Sequence, residues 1–302
     1  MTPNEATVNA ITRILSGEMF KALGFRPDGW ISRNFSPLVW NPINRFAKIA
    51  AGFDQVVESQ NFKEASRWIL PNFVKETGVA GAEMIPKEGP LIIAANHPGA
   101  YDALVIAANL PRSDIKIVVN IPLPFIKELP STQPHFLYAP PDPHIRMGVV
   151  RSALRHLKEG GSLLIFASGG IDPDPACMPG SEDELDKWSG SLELFLRRVP
   201  QTKLQIAMIS GILSPKYVHH AFTRFRKNRR DKQRISEFFQ VMRQMLSPGE
   251  FLSSPQLSFV SPLSRDQLLP KGTSNDIGPE IIQRAQEAFS LHSSTLMGQP
   301  VR

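Results

Sequence analysis

A chain of 302 residues, 42% hydrophobic and 21% charged, is long enough for one large domain or two modest ones around a sizeable core. Its one cysteine, Cys177, excludes an intramolecular disulfide framework and a cysteine-rich zinc site. The formal net charge of +6 favours acidic partners, and no stretch reaches the roughly 18 apolar residues that a spanning helix needs.

The start of the chain lacks the basic residues and unbroken apolar run of a signal peptide. Residues 1–83 read as a helical region. Ala10, Ile11, Ile14, Leu15, Met19 and Leu23 recur at helical spacing until Gly24, Pro27 and Gly29 break it. From Phe20 to Phe73 large rings are frequent: Phe20, Phe25, Trp30, Phe35, Trp40, Phe46, Phe53, Phe62, Trp68 and Phe73. Lys21, Arg26, Arg33, Arg45, Lys48, Lys63 and Arg67 lie among them. Rings mixed with cations suit a membrane interface. They equally suit the packing of helices onto a main domain, and both readings stay open. Residues 61–76 predict a further helix, with Phe62, Ala65, Ile69 and Phe73 on one stripe and Pro71 dividing it.

From Gly81 the pattern changes. Apolar runs at 91–95, 115–120, 163–167, 204–210 and 257–260 predict strands. Helical periodicity covers 102–109, 146–159, 184–199, 235–246 and 279–291. This alternation predicts an α/β domain over 84–302, a mostly parallel central sheet flanked by helices, with residues 1–83 as a helical, membrane-docking region ahead of it. Prolines gather in the connections, as in Pro140-Pro-Asp-Pro143 and Asp172-Pro-Asp-Pro175, and predict stiff loops.

One stretch carries chemistry. The strand Leu91–Ala95 runs into Asn96-His97-Pro98-Gly99-Ala100-Tyr101-Asp102. On a straight helix, residues five apart point about 140° from each other and could not meet. If His97 closes the strand, Pro98–Ala100 turn and Asp102 opens the helix, the two face each other. A carboxylate on one imidazole nitrogen leaves the other free to act as a general base. The bland alternative is a histidine capping a helix start, with Asp102 serving the helix dipole. No serine or cysteine stands beside His97 as a nucleophile, so a bound acceptor would attack directly.

These residues resemble the glycerolipid acyltransferase family, whose first signature is Asn-His-x-x-x-x-Asp. The resemblance implies that His97 deprotonates an acceptor hydroxyl, which attacks an acyl-thioester. Asp102 would orient His97, while Asn96 and Gly99 shape the turn at the substrate. It implies acyl-CoA or acyl carrier protein as donor, with no tightly bound cofactor. It further implies a glycerolipid or lysophospholipid-type acceptor, and a peripheral position on the cytoplasmic face of a membrane with anionic lipid as partner. Later blocks fit less well. Around Phe136–Asp142 the match to the second block is poor, and Arg146 or Arg151 would have to supply its cation. At the third block Phe166 and Gly169 match, but its Glu and Arg are lost, which removes the usual contacts of a phosphorylated acceptor. Ser168, Gly169 and Gly170 remain to offer backbone N–H groups and a hydroxyl to an oxyanion or phosphate. Leu204–Gly211 corresponds to the apolar fourth block.

Residues 222–234 hold Arg224, Arg226, Lys227, Arg229, Arg230, Lys232 and Arg234, a patch suited to anionic headgroups or an acidic carrier protein. Without a recognised nucleic-acid module, nucleic acid is not expected as a partner. The acidic cluster Glu182–Asp186 is explained by a helix start. His219 and His220 lack the further ligands of a metal site, and none is expected. The alternative to an enzyme is a lipid- or membrane-binding protein that keeps the fold without catalysis.

Overall fold

A computed structural model of the protein describes residues 4–22, 26, 29–120, 123–140, 142–188, 190–220, 223, 228–269 and 276–297. Leu23, Gly24, Phe25, Pro27, Arg224, Arg226 and Lys227, which figure in the sequence reading, lie outside the described residues.

Two helices open the chain, α1 (Glu5–Ala22) and α2 (Trp30–Ser59). Val8 and Ile11 meet Ala47, Ala50 and Ala51, while Met19 and Phe20 meet Ile43, so α2 runs back along α1. Asn61 caps α3 (Phe62–Ile69), its side chain accepting from the Glu64 N–H at 3.0 Å. Pro71 ends α3 in a single 3-10 turn. The stripe Phe62, Ala65, Ile69 and Phe73 is buried.

Seven strands form one sheet: β1 (Gly78–Ala80), β2 (Leu91–Ala95), β3 (Ile115–Val119), β4 (Phe136–Tyr138), β5 (Ser162–Phe166), β6 (Lys203–Ser210) and β7 (Gln256–Phe259), in the order β1-β7-β6-β2-β5-β3-β4. All neighbours are parallel except β6 and β7. The central strand β2 is buried on both faces, as its unbroken apolar run requires. Its residues alternate between two cores. Leu91, Ile93 and Ala95 face α3 and α4 (Asp102–Asn109); Ile92 and Ala94 face α5 (Pro143–Lys158), α6 (Gly190–Arg198) and the last helix. A short α7 (Pro215–Val218) leads to α8 (Arg229–Leu246), and α9 (Gly278–Met297) closes the described chain.

The sheet is thus mostly parallel and flanked by helices. Several boundaries differ from the sequence reading. The three-residue strands β1 and β4 are too short to leave a periodic signal. The helix expected over 184–199 is a 3-10 turn, Glu182–Lys187, followed by α6. The chain leaves the helical path at Trp188 and sinks that indole fully into the core. Helix α8 begins six residues earlier than expected. Asn228 caps it, accepting from the Arg230 N–H at 2.9 Å, and its basic first turn hides the start from an apolar count. Likewise Asp142 caps α5 ahead of Pro143.

The rings of the N-terminal region divide by type. Phe20, Phe53, Phe62 and Phe73 are buried, whereas Trp30 is 76% exposed, Trp68 46% and Trp40 43%. Among the described residues no helix is long and apolar enough to cross a membrane.

Candidate active site

Strand β2 ends at Ala95, and the next two residues are fixed by their neighbours. The buried Asn96 side chain donates to Ile209 O and accepts from Ile209 N, both at 2.8 Å, so it continues the ladder to β6 after the backbone has turned away. His97 is clamped on the other side by Asp172, which follows β5. Asp172 Oδ2 accepts from the His97 N–H at 2.9 Å, and the Asp172 N–H donates to His97 O at 2.8 Å. Pro98 and Gly99 then turn the chain. A Cβ at Gly99 would stand 2.5 Å from Ile212 Cγ2, so only glycine lets the turn press against the chain beyond β6.

The turn returns Asp102 to His97. Asp102 Oδ2 accepts from His97 Nδ1 at 2.7 Å and from the Gly99 N–H at 3.0 Å; Oδ1 accepts from the Ala103 N–H at 2.7 Å. Asp102 is 1% exposed and its carboxylate cannot swing away. The His97 side chain keeps 27% exposure, and its Nε2 carries no hydrogen bond among the described residues. Phe166, from the end of β5, stacks on the imidazole with centroids 4.1 Å apart and planes 21° from parallel. The ring is therefore held at one edge, backed on one face and open at the other nitrogen.

The electrostatics follow from this frame. Burial alone would lower the His97 pKa. The Asp102 carboxylate, reinforced by Glu237 and Asp172, outweighs it and raises the pKa to about 8. Asp172 is itself pushed up by burial, against the pull of its bonds from Ser168 and the His97 N–H. Tyr101, whose hydroxyl donates to Ile212 O at 2.8 Å and accepts from Gln240 at 2.8 Å, is pushed up to about 12 by burial and stays a neutral strut under the turn.

The loop Ser168-Gly169-Gly170 lies beside this pair but is largely occupied with itself. The Ser168 hydroxyl donates to Asp172 Oδ1 at 2.5 Å, the Gly170 N–H reaches Ser168 Oγ at 3.3 Å, and the Gly169 N–H closes onto Phe166 O at 3.0 Å. Gly169 O accepts from the Asn120 amide. Gly170 lies under the guanidinium of Arg230, whose Nη2 is 2.9 Å from the place of a Cβ. Arg146 and Arg151 are exposed on the first turns of α5; Arg146 Nε donates to Pro140 O and Arg151 Nε to Met147 O, one turn back. The structure does not tie either arginine to the His97–Asp102 pair.

Four neighbours were not singled out as site residues. In the sequence Asp172 marks the end of the third block and the start of a proline-rich connection. Gln233 of α8 donates to Pro98 O at 2.9 Å and Asp172 O at 2.6 Å, binding the two sides of the site together. Glu237 stands one turn further along α8. Glu184, from the acidic cluster, is paired with Lys187 at 2.5 Å and Arg229 at 2.9 Å, with Arg230 at 3.7 Å, and these cations hold its carboxyl below the usual range despite burial. The spacing of Gln233, Gln240 and Gln244 on one face of the helix is the signal that could have found this contribution. Among the described residues no group of three or more His, Cys, Asp or Glu side chains could hold a metal ion.

Comparison with known proteins places this arrangement. Residues 76–187 match the family model described as Acyltransferase. No curated protein matches the chain. A crystal structure of the 1-acyl-sn-glycerophosphate (LPA) acyltransferase PlsC from Thermotoga maritima is similar at 15% identity and a TM-score of 0.44, over 85% of this chain and 83% of that one. The matched segment begins just before β1 and ends at the acidic 3-10 turn, so it spans β1 to β5 with the His97–Asp102 turn and the Asp172 clamp. The chain therefore carries a domain of the acyltransferase family over residues 76–187, with the His97–Asp102 pair inside it, and is an acyltransferase.

Proposed function

We propose that the protein transfers a fatty acyl group from an acyl-thioester, acyl-CoA or acyl carrier protein, to a hydroxyl of a glycerolipid or lysophospholipid-type acceptor at a membrane surface. The observation that carries this reading is the 2.7 Å bond from His97 Nδ1 to an immobilised Asp102, with Nε2 open. In the reaction His97 Nε2 takes the proton of the acceptor hydroxyl as its oxygen attacks the thioester carbonyl. The tetrahedral intermediate then collapses, the C–S bond breaks, and the proton passes from the imidazolium to the leaving thiolate. Asp102 stabilises the imidazolium and fixes the tautomer. A thioester is already activated, so a base and correct orientation suffice, without a metal.

The membrane part of the reading rests on the exposed Trp30, Trp40 and Trp68 among basic residues, and on a substrate that resides in lipid. The cytoplasmic face of the membrane, where both thioester donors are found, is the proposed location. The experiment is acyl transfer from a labelled acyl-thioester to a lipid-extract acceptor, wild type against His97→Ala. Labelled lipid formed by wild type, reduced ~10²–10⁴-fold in the variant, supports the mechanism. No product with either donor from folded, vesicle-bound protein would turn the reading to a lipid-binding protein without catalysis. The self-bonded Ser168–Gly170 loop is the feature that favours this second reading.

A further inference from the structure

Helix α8 lies across the catalytic turn with a polar face. Gln233, Glu237, Gln240 and Gln244 recur along it at helical spacing. Each glutamine spends its amide on two acceptors: Gln233 on Pro98 O and Asp172 O, Gln240 on the Tyr101 hydroxyl and Ile212 O, Gln244 on Phe73 O and Phe251 O. Glu237 makes no hydrogen bond among the described residues, and its Oε1 is fully enclosed. That oxygen is 3.9 Å from the place of a Cβ on Gly99, the residue whose N–H helps to hold Asp102. The residue is half-buried, and Oε2 is not among the enclosed unpartnered atoms, so one carboxyl oxygen beside the Gly99 turn stays accessible.

A glutamine here would match its neighbours. The sequence instead places the group that is more costly to bury, and leaves it without a partner. Burial pushes the Glu237 carboxyl up to about 8, although His97 and Arg234 pull it down, so near that pH both forms are present and either one accepts from a hydroxyl. A protonated carboxyl donates through one oxygen and accepts through the other, which complements a hydroxyl. Unfinished polar groups in a site are completed by the ligand, and such sites reject analogues that lack the matching group.

We propose that Glu237 reads the acceptor: its carboxyl hydrogen-bonds a second hydroxyl, next to the one His97 deprotonates, so that the acceptor is a polyol such as a monoacylated glycerol and not a simple alcohol. This rests on the acyl-transfer reading above. The test compares 1-monoacylglycerol with the ethylene glycol monoester of the same fatty acid, which keeps one hydroxyl and lacks the second. Wild type is expected to favour the diol about tenfold or more in kcat/KM. Glu237→Leu brings the ratio to near one, and Glu237→Gln, which still donates and accepts, retains most of it. A wild-type ratio near one, or a Glu237→Leu variant that keeps the full preference, overturns the proposal. If neither acceptor is acylated, the lipid-extract assay described above decides the acyl-transfer reading separately. Calorimetric binding of short-chain forms of the same two esters then decides Glu237: a diol preference lost in Glu237→Leu sustains its role, and equal binding of both esters to wild type rejects it.

Discussion

At the scale of single residues, His97 carries two opposite dependences on pH. In the proposed role of base it acts only when neutral, and its pKa is raised to about 8, so kcat/KM is expected to rise with pH through that value, close to tenfold per unit on the acidic side. The same shift acts on stability with the other sign. The folded pKa lies above the ordinary histidine value of 6.5, so the contribution is complete below about 6.5 and is lost as pH rises through 8. Activity should therefore climb where this part of the stability declines. Asp102→Asn removes the charge that raises the pKa; the midpoint of the rate profile should fall, and the rate with it, since the amide no longer stabilises the imidazolium. A pH–rate profile of the two proteins checks both statements, and an unchanged midpoint would contradict the electrostatic account. This pair was legible from sequence because it is local: a strand, a Pro-Gly turn and a helix start bring residues five apart together. Asp172, Gln233 and Glu237 were not legible, because each comes to the His97–Asp102 turn from a distant element and no spacing within one stretch records that meeting.

At the scale of elements, α8 and the loop after β5 act as one brace. Arg229 of α8 donates to Ile171 O and Gln233 Oε1 and pairs with Glu184, while Asp174 accepts from the N–H groups of Gly211 and Leu213. The acidic cluster that sequence reasoning gave to a helix dipole is thus joined through Glu184 to the basic start of α8. On the far side of the sheet, α9 is tied down by its own polar contact. His292 is buried between Ser210 of β6 and Ser258 of β7, each bond 2.8 Å. Burial lowers its pKa to about 4. Between that value and 6.5 the unfolded chain binds a proton that the folded chain refuses, so stability should fall as pH drops through this window. Scanning calorimetry between pH 7 and 4 should show a declining Tm in wild type and a flatter trend in His292→Gln, whose amide can serve both serines. Equal slopes would assign the loss to other groups. Here the legibility was partial: the β6 and β7 runs and the α9 period were plain, but a lone histidine in a helix gives no hint of two serines on neighbouring strands.

At the scale of the whole molecule, among the described rings of the N-terminal helices Phe20, Phe53, Phe62 and Phe73 face inward, Phe46 is half-buried, and Trp30, Trp40 and Trp68 face outward, which divides two roles that the sequence left mixed. If this face meets lipid, Trp30→Ala with Trp40→Ala should weaken co-sedimentation with anionic vesicles. Raising the salt from about 0.1 M to about 0.5 M should weaken it further, since screening shortens the reach of the basic residues. Binding insensitive to both would place the docking surface elsewhere. The frame around His97 also has an order in time. Asn96 is fixed by Ile209, Gly99 by Ile212, Pro98 by Gln233, and Tyr101 by Gln240 and Ser253. During synthesis the signature emerges from the ribosome well before the residues that hold it. Its local pattern is complete by residue 102, yet the carboxylate, the imidazole and their supports come to rest together only after about 150 more residues have followed, a span set by the 152-residue separation of Tyr101 and Ser253. A growing chain thus carries its His97–Asp102 pair unassembled for most of its synthesis, and the geometry of that pair arrives with the fold as a whole.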